Sequence, residues 1–165
     1  MQDQLAKRKS IRLPGFDYSQ AGAYFVTICS FDRKCIFGNI VDTIMHPNQL
    51  GSLIDRLWQV LPKVRPSISL DRWIVMPNHL HGILWLEENN SNDKSLSTIM
   101  CSFKSNSTSQ ARKVFGPKIN LWQRGFYEHI IRDEKDLFRI RQYIEDNPMQ
   151  WTIDEENPDF FSRAR

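Results

Sequence analysis

From Gly22 to Phe31 nearly every position is apolar, aromatic or β-branched, with Tyr24, Val26 and Ile28 alternating with Phe25, Thr27 and Cys29. That pattern predicts a central strand covered on at least one face. After a loop through Gly38 the spacing changes from two to three and four. Leu50, Leu53, Ile54, Leu57, Trp58 and Leu61 then predict a helix over 47–61, with Pro47 in its first turn and Pro62 as its stop. Alternation returns in Ser67–Met76 and His79–Leu86, which read as two strands of an antiparallel hairpin. Pro77-Asn78 between them is a turn signal but not the favoured two-residue dipeptide, so a slightly longer connection is expected. Glu87 to Lys94 is a polar loop.

Ser95 can cap a helix running to about Phe115, with Leu96, Ile99, Met100 and Phe103 as its apolar face and Gly116-Pro117 as its end. A fourth strand is expected around Tyr127 to Ile131. Asp133 suits an N-cap, with Glu134 and Asp136 placed to favour the helix dipole. Leu137, Ile140 and Ile144 form the stripe of a last helix, expected to end near Asn147 because Pro148 disfavours helical geometry before it. The order β-α-β-β-α-β-α predicts an α+β domain. Its core is a ferredoxin-like or RRM-like four-stranded antiparallel sheet with helices on one face and an added C-terminal helix. In that topology the first and third strands sit together at the centre. The chain divides into a basic arm over 1–21, a domain over 22–151 and a tail over 152–165 that includes Phe160-Phe161.

At 165 residues and 41% hydrophobic, the chain can bury a core without disulfides or a structural metal. Its net charge of +3 is modest but segregated. Lys7, Arg8, Lys9 and Arg12 crowd the N-terminus. Lys104, Arg112, Lys113, Lys118 and Arg124 fall in a stretch, Cys101 to Arg124, with no acidic residue. Such charge suits a phosphate backbone, though charge alone favours the plainer reading of a solvated helix face. Cys29, Cys35 and Cys101 have no metal or disulfide spacing and read as reduced thiols of a cytoplasmic protein. No apolar run approaches the roughly 20 residues that span a bilayer, and the polar, basic N-terminus does not read as a signal peptide.

Candidate chemistry sits in two places. His79 and His81 are two apart on a strand and so point to one face, with Leu80 behind them. They read as a bidentate metal site or as two hydrogen-bonded histidines. On the last helix Tyr143 and Asn147 share a face, with Arg139 one turn earlier. If that helix crosses the histidine face, Asn147 can supply an amide oxygen as third ligand; otherwise it simply ends a helix before proline. A nitrogen and oxygen donor set open to substrate suits Mg²⁺ or Mn²⁺. Tyr143 is then a nucleophile candidate, its phenol protonated at neutral pH because its free pKa is near 10. Trp122, Phe126 and Tyr127 beside Arg124 have the composition of a single-strand stacking platform, or of rings packed under the last helix. His129 reads as an assistant to the site or as a structural residue.

Four motifs occur in order: Tyr24-Phe25-Val26-Thr27; Val75-Met76-Pro77-Asn78-His79-Leu80-His81-Gly82; Leu121-Trp122-Gln123-Arg124-Gly125-Phe126-Tyr127-Glu128-His129; and Tyr143-Ile144-Glu145-Asp146-Asn147-Pro148. Together they resemble the single-tyrosine HUH transposases, specifically the REP-associated tyrosine transposases of bacteria. The resemblance implies a ferredoxin-like nuclease acting on single-stranded and hairpin DNA. It implies His79 and His81 as ligands of a divalent metal and Tyr143 as the nucleophile that forms a 5′-phosphotyrosine link and frees a 3′-hydroxyl. In the wider superfamily the third ligand is often Gln, His or Glu, so Asn147 there is a departure. Lys7, Arg8, Lys9, Arg12, Lys104, Arg112, Lys113, Arg124 and Arg139 are the candidate DNA contacts. A monomer is the favoured state, with a dimer that exchanges the tyrosine helix as the alternative. The rival readings are a non-catalytic RRM-like nucleic-acid-binding protein and a metallonuclease that uses water and forms no adduct.

Overall fold

A computed structural model describes residues 20–87, 95–154 and 157–159. The basic arm with Lys7, Arg8, Lys9 and Arg12, most of the polar loop, and Phe160-Phe161 lie outside the described residues. The chain runs through β1 (Gly22–Cys29), a short 3-10 turn (Phe31–Arg33), β2 (Gly38–Val41), β3 (Ile44–Pro47), α1 (Gln49–Gln59) and α2 (Leu61–Val64). It continues through β4 (Ile68–Met76), β5 (His79–Leu86), α3 (Leu96–Phe115), β6 (Tyr127–Ile131), α4 (Glu134–Gln150) and a final 3-10 turn (Trp151–Ile153). The main sheet has the order β4-β5-β1-β6, and every pair in it is antiparallel. This is the ferredoxin-like arrangement expected from the pattern, with β1 and β5 in the centre.

Strand alternation sorts the side chains into two layers. On one face Tyr24, Val26 and Ile28 of β1 and Leu80, Leu84 and Leu86 of β5 pack against Leu50, Ile54 and Trp58 of α1 and Ile99, Met100 and Phe103 of α3. On the other, Phe25 and Ile83 meet Leu137, Ile140 and Ile144 of α4. Gly82 explains how α1 comes so close. A Cβ there would lie 2.5 Å from the indole of Trp58, so only glycine lets that fully buried ring rest on the backbone of β5.

Several details differ from the sequence expectation, each for a local reason; α1 stops at Gln59, and Pro62 lies in the first turn of α2 instead of ending α1. Residues before α1 form the small β2–β3 hairpin rather than a plain loop. Pro47 ends β3 instead of opening α1, and Asn48 caps the helix by accepting from the Gly51 N–H at 2.9 Å. Met76 pairs directly with His79, so the β4–β5 connection is only Pro77-Asn78. Tertiary bonds hold that turn: Phe37 N–H donates to the Pro77 carbonyl at 2.9 Å, and Ser30 N–H to that of Asn78 at 2.8 Å. Finally, α4 continues through Pro148 to Gln150. Proline forfeits an intrahelical hydrogen bond, and in the last turn little helix remains to be broken.

Candidate active site

β5 and α4 carry the two halves of the site to one place. His79 and His81 point from β5 toward α4, opposite Cys29 and Thr27 of β1, and both are buried. Their rings lie 4.3 Å apart between centroids. α4 crosses this face with Tyr143 over His81: the phenol oxygen is 3.4 Å from His81 Nε2, and the ring centroids are 5.2 Å apart. Phe25 supports both rings, at 5.3 Å from His81 and 6.1 Å from Tyr143. Tyr143 is nevertheless 40% exposed and lines an open groove with Arg139 and Gln142.

The hydrogen bonds behind the histidines set their orientation. Asn78 Nδ2 donates to the Arg33 carbonyl at 2.9 Å, which leaves Asn78 Oδ1 to accept from His79 Nδ1 at 2.8 Å. That fixes the proton of His79 on Nδ1 and a lone pair on Nε2, a buried atom with no hydrogen-bond partner. His81 Nδ1 is 2.7 Å from the Thr27 hydroxyl, which can donate or accept, and this contact holds the ring with Nε2 facing Tyr143. Burial drives both imidazoles toward the neutral form. His79 is pushed down to about 3 despite the opposing pull of the neighbouring Asn147 amide. His81 is held well below its ordinary value by burial and then by His79 itself.

Asn147 lies on α4 one turn beyond Tyr143, buried beside His79. Its Nδ2 donates to Asp154 Oδ2 at 3.3 Å, and its Oδ1 is buried without a partner. His79 Nε2 and Asn147 Oδ1 are therefore two orphaned acceptor atoms in one place, and His81 Nε2 lies within reach of the phenol. Neutral imidazoles with an amide oxygen are a fitting donor set for a small divalent cation, and otherwise those buried acceptors go unsatisfied. Among the described residues no group of three or more His, Cys, Asp or Glu forms a metal cluster; beside the two histidines, Asn147 Oδ1 is a buried oxygen without a hydrogen-bond partner.

The other predicted site residues fall in two groups. Arg112, Lys113 and Arg124 line one groove of about 830 Å³ with Phe31, Asn120 and Thr108, on the α3 side of the molecule. Lys104 also borders it, but its ammonium donates to the Gln123 and Gly125 carbonyls at 2.7 Å each and so braces the loop that forms the groove wall. Burial lowers its pKa. Arg139 lines a separate groove with Tyr143, its guanidinium 2.7 Å from Asp136. His129 binds the other oxygen of Asp136 at 2.7 Å, away from the histidine pair. Of the three rings read as a stacking platform, Trp122 is buried with its Nε1 donating to Ser107 Oγ, and Phe126 packs against the main core. Tyr127 alone is open, 40% exposed on the α4 face and 6.3 Å from Phe25.

Sequence reasoning passed over Thr27 and Asn78, which orient the imidazoles, and Asp154, which orients Asn147. It also passed over Asp71 and Arg72 of β4, which bind α4. Arg141 donates from Nε to Asp71 Oδ1 at 2.9 Å and from Nη2 to Asp71 Oδ2, and Arg72 is 3.0 Å from Glu145. Only Asn78 was visible beforehand, as the turn residue next to His79; the others depend on tertiary pairing.

The IS200-like transposase family model matches residues 51–147, more than half of the chain. An uncharacterized protein of Haemophilus influenzae is 36% identical over 90% of this chain and 92% of its own length. The REP-associated tyrosine transposase of Escherichia coli K12 is 31% identical, over 66% of this chain and 64% of that protein. A solved REP-associated tyrosine transposase bound to a REP hairpin has the same fold, at a TM-score of 0.63 and 24% identity over 87% of this chain and 74% of that one. The matched segment contains the histidine pair, all of α3 and Tyr143, and over that span the chain belongs to the IS200-like transposase family of DNA strand-transferring enzymes.

Proposed function

We propose that this protein cuts and rejoins single-stranded DNA beside a hairpin, with Tyr143 as the nucleophile and the hairpin in the REP class bound by its solved structural relative. The observation that carries this reading is the 3.4 Å approach of the Tyr143 phenol oxygen to His81 Nε2, at the open edge of a buried imidazole pair. A tyrosine serving only the core would be buried; this one is 40% exposed, with its oxygen next to atoms suited to holding a phosphate-bound cation.

His79, His81 and Asn147 would hold a divalent metal, Mg²⁺ or Mn²⁺, which when bound would neutralise charge on the scissile phosphate and orient it. The chain's own residues do the rest. Tyr143 oxygen attacks phosphorus; the P–O3′ bond breaks; the downstream fragment stays on the protein through its 5′-phosphate as a phosphotyrosine, and the upstream fragment leaves with a 3′-hydroxyl. The phenol loses one proton and the departing oxygen gains one, so the exchange is proton-neutral and reversible, which is what rejoining requires. The attachment of α4 to its own sheet supports a monomer with a self-contained site. Arg112, Lys113 and Arg124 supply a cationic track with open hydroxyls for the backbone of the stem, and Tyr127 offers a ring for an unpaired base.

The test is Tyr143→Phe. Cleavage of a hairpin-flanked strand in Mn²⁺ should fall by more than about a thousandfold with binding retained. Unchanged processing would leave either a binding module or a metallonuclease that uses water.

A further inference from the structure

β4 does not pair evenly with β5. Leu70 faces Leu84 and Trp73 faces Gly82, so Asp71 and Arg72 together stand against Ile83 alone. This is a β-bulge, and a bulge re-aims side chains that regular alternation would send to opposite faces. Here both residues reach α4. Asp71 takes the two-pronged guanidinium of Arg141, and the Trp85 indole donates to its second oxygen at 3.4 Å. Arg72 meets Glu145, one helical turn beyond Arg141. The Asp71 carboxylate is largely shielded, 13% exposed, whereas the Arg72–Glu145 pair is open to solvent. The first contact is thus the strong one and the second an auxiliary.

We propose that the β4 bulge is the positioning device for the nucleophile: Asp71, with Arg72 assisting, sets the roll of α4 about its own axis and thereby the height of the Tyr143 oxygen above His81. The helix geometry makes the connection. At about 100° per residue, the buried stripe of Ile140 and Ile144 faces the sheet, Arg141 and Glu145 lie on one flank, and Tyr143 lies on the other. The apolar stripe is short: Leu137, Ile140 and Ile144 meet Phe25 and Ile83, with Ile74, Trp85 and Ile131 at the margin. Such contacts resist separation of helix from sheet better than they resist rotation, because apolar burial is non-directional. A bidentate arginine–carboxylate pair is directional. A roll of roughly 20° would carry an atom about 6 Å from the axis through about 2 Å. Misplacement of about 1 Å can cost on the order of a hundredfold in rate. Pinning the Arg141 flank to β4 therefore fixes the opposite flank, where the phenol sits, without either bulge residue touching the reacting atoms.

This inference rests on Tyr143 being the nucleophile, and its test separates the two ideas. Asp71→Asn, Arg141→Ala and the double variant are compared with the full-length protein in three measurements. These are single-turnover adduct formation on a hairpin-flanked strand, binding of the same DNA by fluorescence anisotropy, and amide hydrogen exchange. Each single variant should form adduct about 10- to 100-fold more slowly with affinity unchanged within about twofold. The double variant should be no slower than the worse single, because both remove one contact. Exchange should quicken over Glu134–Gln150 while β1 and β5 stay protected, a readout independent of which residue attacks. Wild-type rates with a protected α4 would overturn the proposal, as would rate losses that add in the double variant or that simply follow lost DNA affinity. A Tyr143→Phe variant that still cleaves would instead overturn the assignment of the nucleophile, whatever the exchange pattern.

Discussion

The two faces of the central sheet are built from the same strands and differ in almost everything else. The face under α1 and α3 is a large apolar layer in which Tyr24, Val26, Ile28, Leu80 and Leu84 are buried among Ile54, Trp58, Ile99 and Phe103. The face under α4 has a few apolar contacts at one end and, at the other, two buried imidazoles, a buried amide and a half-open phenol. β5 shows the division residue by residue. Leu80, Gly82 and Leu84 serve the core, while His79 and His81 between them serve the site. A period-two strand lets the protein put rigidity and chemistry on one backbone. Polar groups on the sparse side are tolerated in part because Asn78, Thr27 and Asp154 each satisfy one end of His79, His81 and Asn147.

If the faces divide the work in this way, changes on each should have separable consequences. The largest effect is expected at the site. His81→Ala should reduce cleavage by at least about a hundredfold and weaken Mn²⁺ binding measured by calorimetry, with little change in melting temperature. The complementary change is Leu84→Ala on the core face. It should cost about 2–5 kcal/mol in urea denaturation, while the folded fraction keeps its Mn²⁺ affinity. Loss of metal affinity in the folded Leu84→Ala protein would show that the two layers are not independent.

A smaller effect is expected in the α3 groove. Arg112→Ala with Lys113→Ala should weaken hairpin binding about tenfold. It should also lower the slope of log affinity against log salt by about one for each lost phosphate contact, with the cleavage rate of bound DNA preserved. The smallest concerns acid. The Arg141 guanidinium holds the Asp71 carboxyl below its ordinary value, assisted by Trp85 and opposed by partial burial. A carboxyl with a depressed folded pKa contributes its full stability above its unfolded value, near 3.9, and loses it as pH falls through the folded value. The stability difference between wild type and Asp71→Asn should therefore be present at pH 6 and shrink below about pH 4 in urea titrations.

Much of this was legible in the sequence because it depends on local periodicity. The alternation of β1 and β5, the stripes of α1, α3 and α4, and the cap at Asp133 gave the element order, and the order gave the topology; Ser95 stands at the start of α3 without a capping side-chain bond. The histidine pair was readable for the same reason, since strand alternation alone sends His79 and His81 to one face. The residues that escaped are those whose roles are made by pairing across the fold. Thr27 is an ordinary strand threonine until β5 sets it opposite His81. Asp71 and Arg72 look like surface charges until the bulge turns both toward α4. Trp122 and Phe126 read equally as base-stacking rings and as core, and only the packing around Ser107 and the α3 face decides for the core. Pro148 misled because its rule concerns local geometry, and the helix end lies two residues beyond it.

The most direct measurement of the central claim is the chemical identity of the protein–DNA link. A 5′-labelled fragment released from a hairpin-flanked single strand should carry no protein, whereas the 3′ fragment should migrate with the protein through denaturing electrophoresis. Peptide mass spectrometry of that adduct should place the nucleotide on Tyr143. Cleavage of the same strand with no adduct, or an adduct on any other residue, would contradict the account.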